Sequence, residues 1–193
     1  MSKQRQHNHS VRIIAGKHRG RKIPVLDRPG LRPSPDRVRE TTFNWLQFDL
    51  PGAHVLDAFA GSGAMGLESL SRGAASAVFV DKDAENITQI NELLQSWHES
   101  HARAQTADVL TLAQPRTPYD VIFIDPPFAD NLHQQALNQF SHPAWLKPHG
   151  MIYIELPERP DSLDLPQGFN WHRKQRAGSL YFGLIKRTDN ADD

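Results

Sequence analysis

The chain has 193 residues, enough for one domain with a sizeable core and a small appendage, and no stretch approaches the ~20 apolar residues of a membrane span. It has no cysteine, which excludes a disulfide framework and a thiolate metal site. The formal charge is zero, but residues 1–45 hold 11 Lys/Arg against 3 Asp/Glu, a net of +8, and residues 46–193 hold 11 against 19, a net of −8.

In chain order, residues 1–10 (MSKQRQHNHS) are polar, lack the apolar stretch of a signal peptide and read as a disordered tail of a soluble, cytoplasmic protein. From Val11 to Leu26 the apolar residues Val11, Ile13, Ile23 and Val25 alternate with polar or small ones, and residues 16–20 supply a turn: a β-hairpin is expected. Arg12, Lys17, Arg19, Arg21 and Lys22 make it a basic ribbon suited to a phosphate backbone, and an isolated hairpin must dock on something to be stable. A proline-rich connector, RPGLRPSP, carries Arg32 and leads to a helix. Ser34 is placed as its N-cap and Pro35 as its first residue, and the helix is expected to run to about Phe48. Val38, Thr42, Trp45 and Leu46 share one face of it, with Arg37 elsewhere. Residues 11–50 thus read as a basic extension, and residues 51–193 as the main domain.

That domain alternates strands with helices, the pattern of a parallel sheet with right-handed crossovers. Strands are expected over Ala53–Phe59, Ala75–Val80, Arg103–Ala107, Tyr119–Ile124 and Gly150–Leu156, with helices ending near Arg72 and spanning about Ala84–Trp97 and Leu132–Phe140. Trp171–Arg176 and Ser179–Lys186 form a closing hairpin that adds one antiparallel strand. The fold class is α/β, a mixed seven-stranded Rossmann-like sheet with helices on both faces.

Two turns in this pattern carry chemistry. After the first strand comes Gly61-x-Gly63-x-x-Gly66, a loop that lets the backbone approach a ligand at a helix N-terminus. Asp57 precedes it by four residues. A carboxylate there repels a pyrophosphate and pairs with an ammonium group, which disfavours a nicotinamide dinucleotide and suits the amino-acid end of S-adenosylmethionine. Asp81, twenty residues after Gly61, suits ribose hydroxyls, and Asp108 suits the adenine amine or caps the next helix. Phe59 and Lys82 sit at the same strand ends and are counted with this cradle.

The second turn is Asp125-Pro126-Pro127-Phe128. The prolines end a strand buried on both faces and stiffen the turn itself. The Asp125 carboxylate and the Pro126 carbonyl are two acceptors beside the flat face of Phe128. They suit a planar amine with two N–H donors, such as a nucleobase amine lifted out of its stack.

VLDAFAGSGAMG, VFVD and DPPF resemble the first, second and fourth motifs of the class I S-adenosylmethionine-dependent methyltransferases, and DPPF resembles the signature of those that methylate amino nitrogens. RIIAGKHRGRKIPV with GLRPSPDRVRETTFNWL is similar to the 16S rRNA guanine-N2 methyltransferase family known as RsmD, with Ser34 where the family usually has threonine and Asp81 where relatives often have glutamate. The resemblance implies S-adenosylmethionine as donor and 16S rRNA as partner, within the small ribosomal subunit. It places Asp125, Pro126, Pro127 and Phe128 at the reacting amine, Asp57, Phe59, Gly61, Gly63, Asp81, Lys82 and Asp108 around the cofactor, and the hairpin with Arg32 and Arg37 on RNA. A monomer is expected, and no metal: the histidines form no ligand set. DPPF by itself also serves a DNA adenine-N6 or protein glutamine-N5 methyltransferase, and an RNA-binding scaffold with a dead cofactor site remains a third reading. A target-recognition domain for DNA has no room in this chain, and Asp57, Gly61 and Asp125 are all intact.

Overall fold

The structure, a computed structural model, describes residues 9–26 and 35–188. Arg32 and the Ser34 cap fall outside them. The hairpin is present: β1 (His9–Arg12) pairs antiparallel with β2 (Lys22–Val25), Val11 opposite Ile23. Helix α1 is Asp36–Trp45. It starts one residue after Pro35, which takes the N-cap position, and it ends before the expected Phe48. The Leu46 and Leu50 amides bond back to Thr42 and Leu46, so the chain leaves the helix through a turn ahead of Pro51.

Next come β3 (His54–Asp57), α2 (Ala64–Ser71), β4 (Ser76–Asp81), α3 (Ala84–Ser96), β5 (Ala102–Thr106), β6 (Tyr119–Ile124), α4 (His133–Phe140), β7 (Leu146–Leu156), β8 (Phe169–Ala177) and β9 (Leu180–Arg187). The strands after the hairpin form one sheet in the order β5-β4-β3-β6-β7-β9-β8, and only β9 runs against the others. β7 begins four residues before the expected Gly150, because Leu146 pairs with Tyr119 ahead of a register shift. The chain passes from β3 to β4 and β5 on one side and to β6 and β7 on the other. The switch point therefore lies between β3 and β6, and open α/β sheets bind ligands at the carboxyl end of such a point.

Each sheet face has its own apolar core. Val55, Phe79, Phe123, Tyr153, Phe182 and Leu184 meet the hairpin, α1, α2 and α3. Leu56, Val80, Ile122, Ile124, Ile154 and Ile185 meet α4 and Trp145. The central β6 has Val121 to Ile124 buried on both faces, as its composition requires. Val11, Ile13 and Ile23 belong to the first core, so the hairpin shares it with the sheet. Trp45 stacks on Phe182 at 5.4 Å and anchors the end of α1.

The hairpin is fastened by a buried acid. Glu68 on α2 is wholly buried and accepts the Ile14 and Ala15 amides at 2.8 and 3.1 Å. It also takes the Arg72 Nε–H at 2.7 Å and lies 3.8 Å from the guanidinium of buried Arg39 on α1. Arg39 in turn donates to the Arg12 carbonyl at 3.0 Å and to Asp36 at 2.7 Å. One carboxylate thus joins the hairpin, α1 and α2. At Gly16 a Cβ would come within 1.8 Å of the Ser71 carbonyl oxygen, so only glycine lets the turn seat on the end of α2. His18, buried, bonds Glu99 at 2.5 Å and packs on Trp97.

Removing Glu68 strands two amides and leaves Arg39 and Arg72 without their shared buried counter-charge. Glu68→Ala is expected to lower unfolding stability by about 3–5 kcal/mol. Urea denaturation measures the loss, and trypsin should cut at Lys17, Arg19 or Arg21 faster in the variant at equal native fraction.

Candidate active site

The glycine loop and the Pro-Pro turn meet at the switch point. β3 pairs with β6 in parallel, Asp57 opposite Phe123, so the acid that ends β3 and the acid just past β6 stand on neighbouring strand tips. Side chains alternate along a strand, which puts Asp57, Phe123 and Asp125 on the same sheet face, the one covered by α1 and α2. Asp57 is buried and its Oδ2 accepts the Gly66 amide at 3.0 Å. Burial is the largest cause that pushes its carboxyl up from 3.8 to about 7, opposed by that amide and reinforced by Asp81. Asp125 is also held well above the ordinary carboxylate range, by burial first, then by Glu155 and Asp57.

The loop between β3 and α2 adopts the geometry a ligand cradle needs. Gly61 and Gly63 both hold positive φ. At Gly66 a Cβ would reach 2.2 Å from the Phe79 ring, so that glycine lets α2 lie close on β4. Asp81 accepts the Gly61 amide through Oδ2 at 2.7 Å and the Asp83 amide through Oδ1 at 2.8 Å, which fixes its carboxylate at the tip of β4. Asp108 caps the short turn at Val109–Thr111, its Oδ1 accepting the Leu110 amide at 3.0 Å. Phe59 is half-buried against the second core. Lys82 reaches across to the loop after the Pro-Pro turn, its Nζ 2.8 Å from the Asp130 carboxylate. In that turn Pro126 is buried and Pro127 exposed, while Phe128 leaves 46 % of its surface open, with its ring centroid 5.8 Å from His133.

The basic residues do not all gather here. Arg12, Lys17, Arg19, Arg21, Lys22 and Arg37 are exposed. The hairpin turn, however, sits on Ser71 and Glu99, at the amino edge of the sheet, with Lys17 paired to Glu99 at 2.7 Å and Arg21 5.3 Å over the Trp97 ring. The length of α2, about 12 Å, separates that turn from the carboxyl edge of the sheet. Arg37 lies at the other end of the extension, in the first turn of α1.

Sequence reasoning missed the residues behind Asp125. Glu155 is buried and comes directly after Ile154, which pairs with Ile124; Glu155 and Asp125 are therefore next in register on adjacent strands. The Tyr153 hydroxyl donates to Glu155 Oε1 at 2.7 Å. The signal was available: an acid ending the apolar run MIYIE obeys the same strand-end logic as Asp57, Asp81 and Asp125.

A strand order with its switch point between β3 and β6, a glycine loop with an acid before it and a DPPF turn beside it define the class I methyltransferase fold. The comparisons agree. A family model described as "Conserved hypothetical protein 95" matches residues 11–186. The chain is 41% identical over 185 residues to "Ribosomal RNA small subunit methyltransferase D" of Escherichia coli, covering 93% of each chain. It is 40% identical over 181 residues to the protein of that name from Haemophilus influenzae, covering 91% of this chain and 93% of that one. A solved Escherichia coli structure, "Putative methyltransferase yhhF", superposes with a TM-score of 0.83 at 40% identity over 93% of this chain and 98% of that one. The chain belongs to the ribosomal RNA small subunit methyltransferase D family.

Asp57 yields a pH test. Its folded-state value lies above its unfolded one, so between about 4 and 7 the native state holds the extra proton. Stability from this group is therefore lost as pH rises through that window, by up to about 4 kcal/mol. Asp57→Asn can still accept the Gly66 amide, and is expected to flatten the fall of Tm between pH 4 and 7 in the protein without ligand. Asp125, raised in the same direction, leaves part of the slope in place.

Proposed function

We propose that this protein transfers a methyl group from S-adenosylmethionine to the exocyclic N2 of a guanine in 16S rRNA of the small ribosomal subunit. The observation that carries the reading is the Asp125–Phe128 turn, with its exposed ring, on the strand tip next to Asp57 and the Gly61 loop. Family membership supports RNA as the substrate over DNA or protein glutamine.

The residues of the cradle fit the cofactor. A buried carboxyl held near 7 by desolvation is a site that gains most from a cation, and Asp57 would pair with the ammonium of the donor. Asp81, fixed by two amides, would take the ribose hydroxyls through its remaining lone pairs. Asp108 would offer its second oxygen to the adenine amine. Phe59 and Lys82 flank this pocket, Lys82 holding the Asp130 loop beside it. The cofactor supplies a methyl group on a sulfonium.

Guanine N2 is a weak nucleophile because its lone pair is delocalised into the ring. Asp125 and the Pro126 carbonyl each accept one N–H, which turns the lone pair toward the methyl and favours the pyramidal transition state. Asp125 also stabilises the positive charge that builds on nitrogen. Pro127 stiffens the turn, and Phe128 stacks on the extruded base. Residues 11–50 form the RNA-binding extension and residues 51–193 the catalytic domain of a monomer. Because the turn with Lys17, Arg19 and Arg21 stands about 12 Å from the carboxyl edge of the sheet, these cations, with Arg12 and Lys22, would grip RNA backbone away from the target, and Arg32 and Arg37 are the remaining candidates for RNA contact.

The test is transfer of tritiated methyl from S-adenosylmethionine to 16S rRNA, assembled small subunits, DNA and protein, with nucleoside analysis of the product. N2-methylguanosine from the ribosomal substrate is the expected product; label in DNA or protein alone overturns the reading. Asp125→Ala is expected to reduce turnover at least 100-fold with cofactor affinity within a few-fold of wild type. Near-wild-type turnover would remove Asp125 from the mechanism. Charge reversal of Arg19 and Arg21 together should weaken RNA binding and reduce its salt dependence while leaving cofactor binding intact. An equal loss of cofactor affinity would mark the hairpin as structural only.

A further inference from the structure

The division into a basic extension and an acidic body hides a second basic element. Residues 46–168 hold 6 Lys/Arg against 16 Asp/Glu, whereas residues 169–187, the closing hairpin, hold 5 Lys/Arg and no acid. The outer strand of that hairpin, β8, is the edge of the sheet. A strand packed on one face alternates buried and exposed residues. β8 does so only at its start, where Phe169 is buried and Trp171 half-buried; the five residues from His172 to Arg176 are all exposed. Both faces of the strand are therefore open there, as well as its edge. Arg173, opposite Leu184, is on the α1 face, and Lys174 and Arg176, opposite Gly183 and Tyr181, are on the α4 face. Among the described residues no ion pair involves any of these three. Arg176 is held ready: its Nε donates to the Gly178 carbonyl at 2.7 Å and its guanidinium lies 5.4 Å over the Tyr181 ring, which leaves both Nη groups to another acceptor. Arg187, by contrast, is engaged by the Phe169 ring and the Ser141 carbonyl.

Register sets where these cations stand. β8 runs parallel to β7, so it ends at the same sheet edge as Asp57 and Asp125. Ile124 pairs with Ile154, Ile154 with Gly183, and Gly183 with Lys174. Lys174 is thus level with the end of β6, and Arg176, two residues on, with Pro126. Three strand spacings, about 14 Å, separate them from the Pro-Pro turn. The turn of the first hairpin stands at the opposite edge, so β8 is the element that carries a row of cations up to the level of that turn. Charge on an edge strand also prevents edge-to-edge pairing. That role does not explain the sign: acids would guard the edge of an acidic body as well, and the bulge between Trp171 and Arg173 already breaks the ladder.

We propose that β8 is a second RNA-binding surface, on which Arg173, Lys174 and Arg176 hold the phosphate backbone beside the target nucleotide. The inference rests on the proposed transfer to rRNA and adds the surface that positions it. Open cations of one sign, two of them guanidinium forks, suit phosphate oxygens and carry no base-reading geometry. The cations are not what holds β8. Phe169 and Trp171 pack on the second core, and at Gly183 a Cβ would come within 2.8 Å of the Trp171 ring, so that glycine gives the ring its room.

The test neutralises the row in the full chain: Arg173→Gln, Lys174→Gln and Arg176→Gln together. Affinity for 16S rRNA and for assembled small subunits should fall by about ten-fold or more at moderate salt, and the slope of log affinity against log salt should shrink by about 2 to 3. The loss should appear in KM for RNA, with S-adenosylmethionine affinity within two-fold of wild type. Lys174→Gln alone should reduce the slope by about 1, and it carries the test if the triple variant fails to fold. Arg116→Gln, exposed at the opposite sheet edge ahead of β6, should leave the slope unchanged. Unchanged RNA affinity in the folded β8 variants would overturn the proposal, as would an equal loss in Arg116→Gln, which marks net charge alone. Weaker binding to subunits with unchanged binding to naked rRNA would overturn it in favour of a protein partner. Self-association of the variant by light scattering, with RNA affinity intact, would leave β8 as a guarded edge only. Absence of both rRNA binding and methyl transfer in the wild-type protein would instead overturn the function on which the inference rests.

Discussion

The pairing of β3 with β6 is the constraint on which the site depends. Asp57 opposite Phe123 is a backbone register, set by two buried strands whose apolar residues must face two different cores. A slip of one residue would turn one strand's set, Val55 with Asp57 or Phe123 with Asp125, toward α4, and would put Asp57 and Asp125 on opposite faces. The chemistry of the strand tips is thus fixed by the packing of the strand middles. Neither turn needs to be rigid over its whole length, because each begins one or two residues beyond a position that the sheet holds in place.

A second buried acid does for the extension what the register does for the site. Glu68 collects two hairpin amides, Arg72 of its own helix and the flank of Arg39 from α1. The result is a basic arm that shares the domain's core and its hydrogen bonds. α1 also covers Phe123 through Phe43 and reaches Tyr153 through Thr42, so the element that leads from the hairpin forms the roof over the Asp125–Glu155 face. Geometry at the basic extension and geometry at the strand-tip carboxylates are consequently properties of one packed layer.

Much of this was legible in the sequence because it is written in strand-end chemistry. An apolar run that stops on an acid gave Asp57, Asp81 and Asp125, and glycine and proline marked the two turns. The closing hairpin and its single antiparallel strand were equally plain. What sequence concealed depends on partners distant in the chain. Arg39 looks like one more cation on a basic helix, and its burial becomes intelligible only with Glu68, 29 residues later, beside it. Nothing in the sequence shows that Lys82 reaches Asp130, 48 residues later, at 2.8 Å. Val11 to Leu26 announced a basic ribbon, but not that its turn would seat on Ser71, at the edge of the sheet opposite the Asp57 and Asp125 strand tips. Glu155 carried the same strand-end signal, but its place beside Asp125 depends on a strand pairing that the sequence does not show.

The carboxylates at the switch point also explain why the site is asymmetric in what it can bind. Three acids stand on one face of three adjacent strand tips, two of them held above their ordinary range by burial first and then by neighbouring acids, Asp57 by Asp81 and Asp125 by Glu155 and Asp57. Such a cluster favours any ligand that brings positive charge and disfavours any that brings negative. On the proposed function, an RNA backbone would be kept to exposed cations such as those of the extension, and an uncharged base would approach Asp125. The same field would favour a sulfonium over its neutral thioether, and so a donor before transfer over its product after it. On that reading, charge that is expensive to bury in the free protein would become the discrimination between substrate and product.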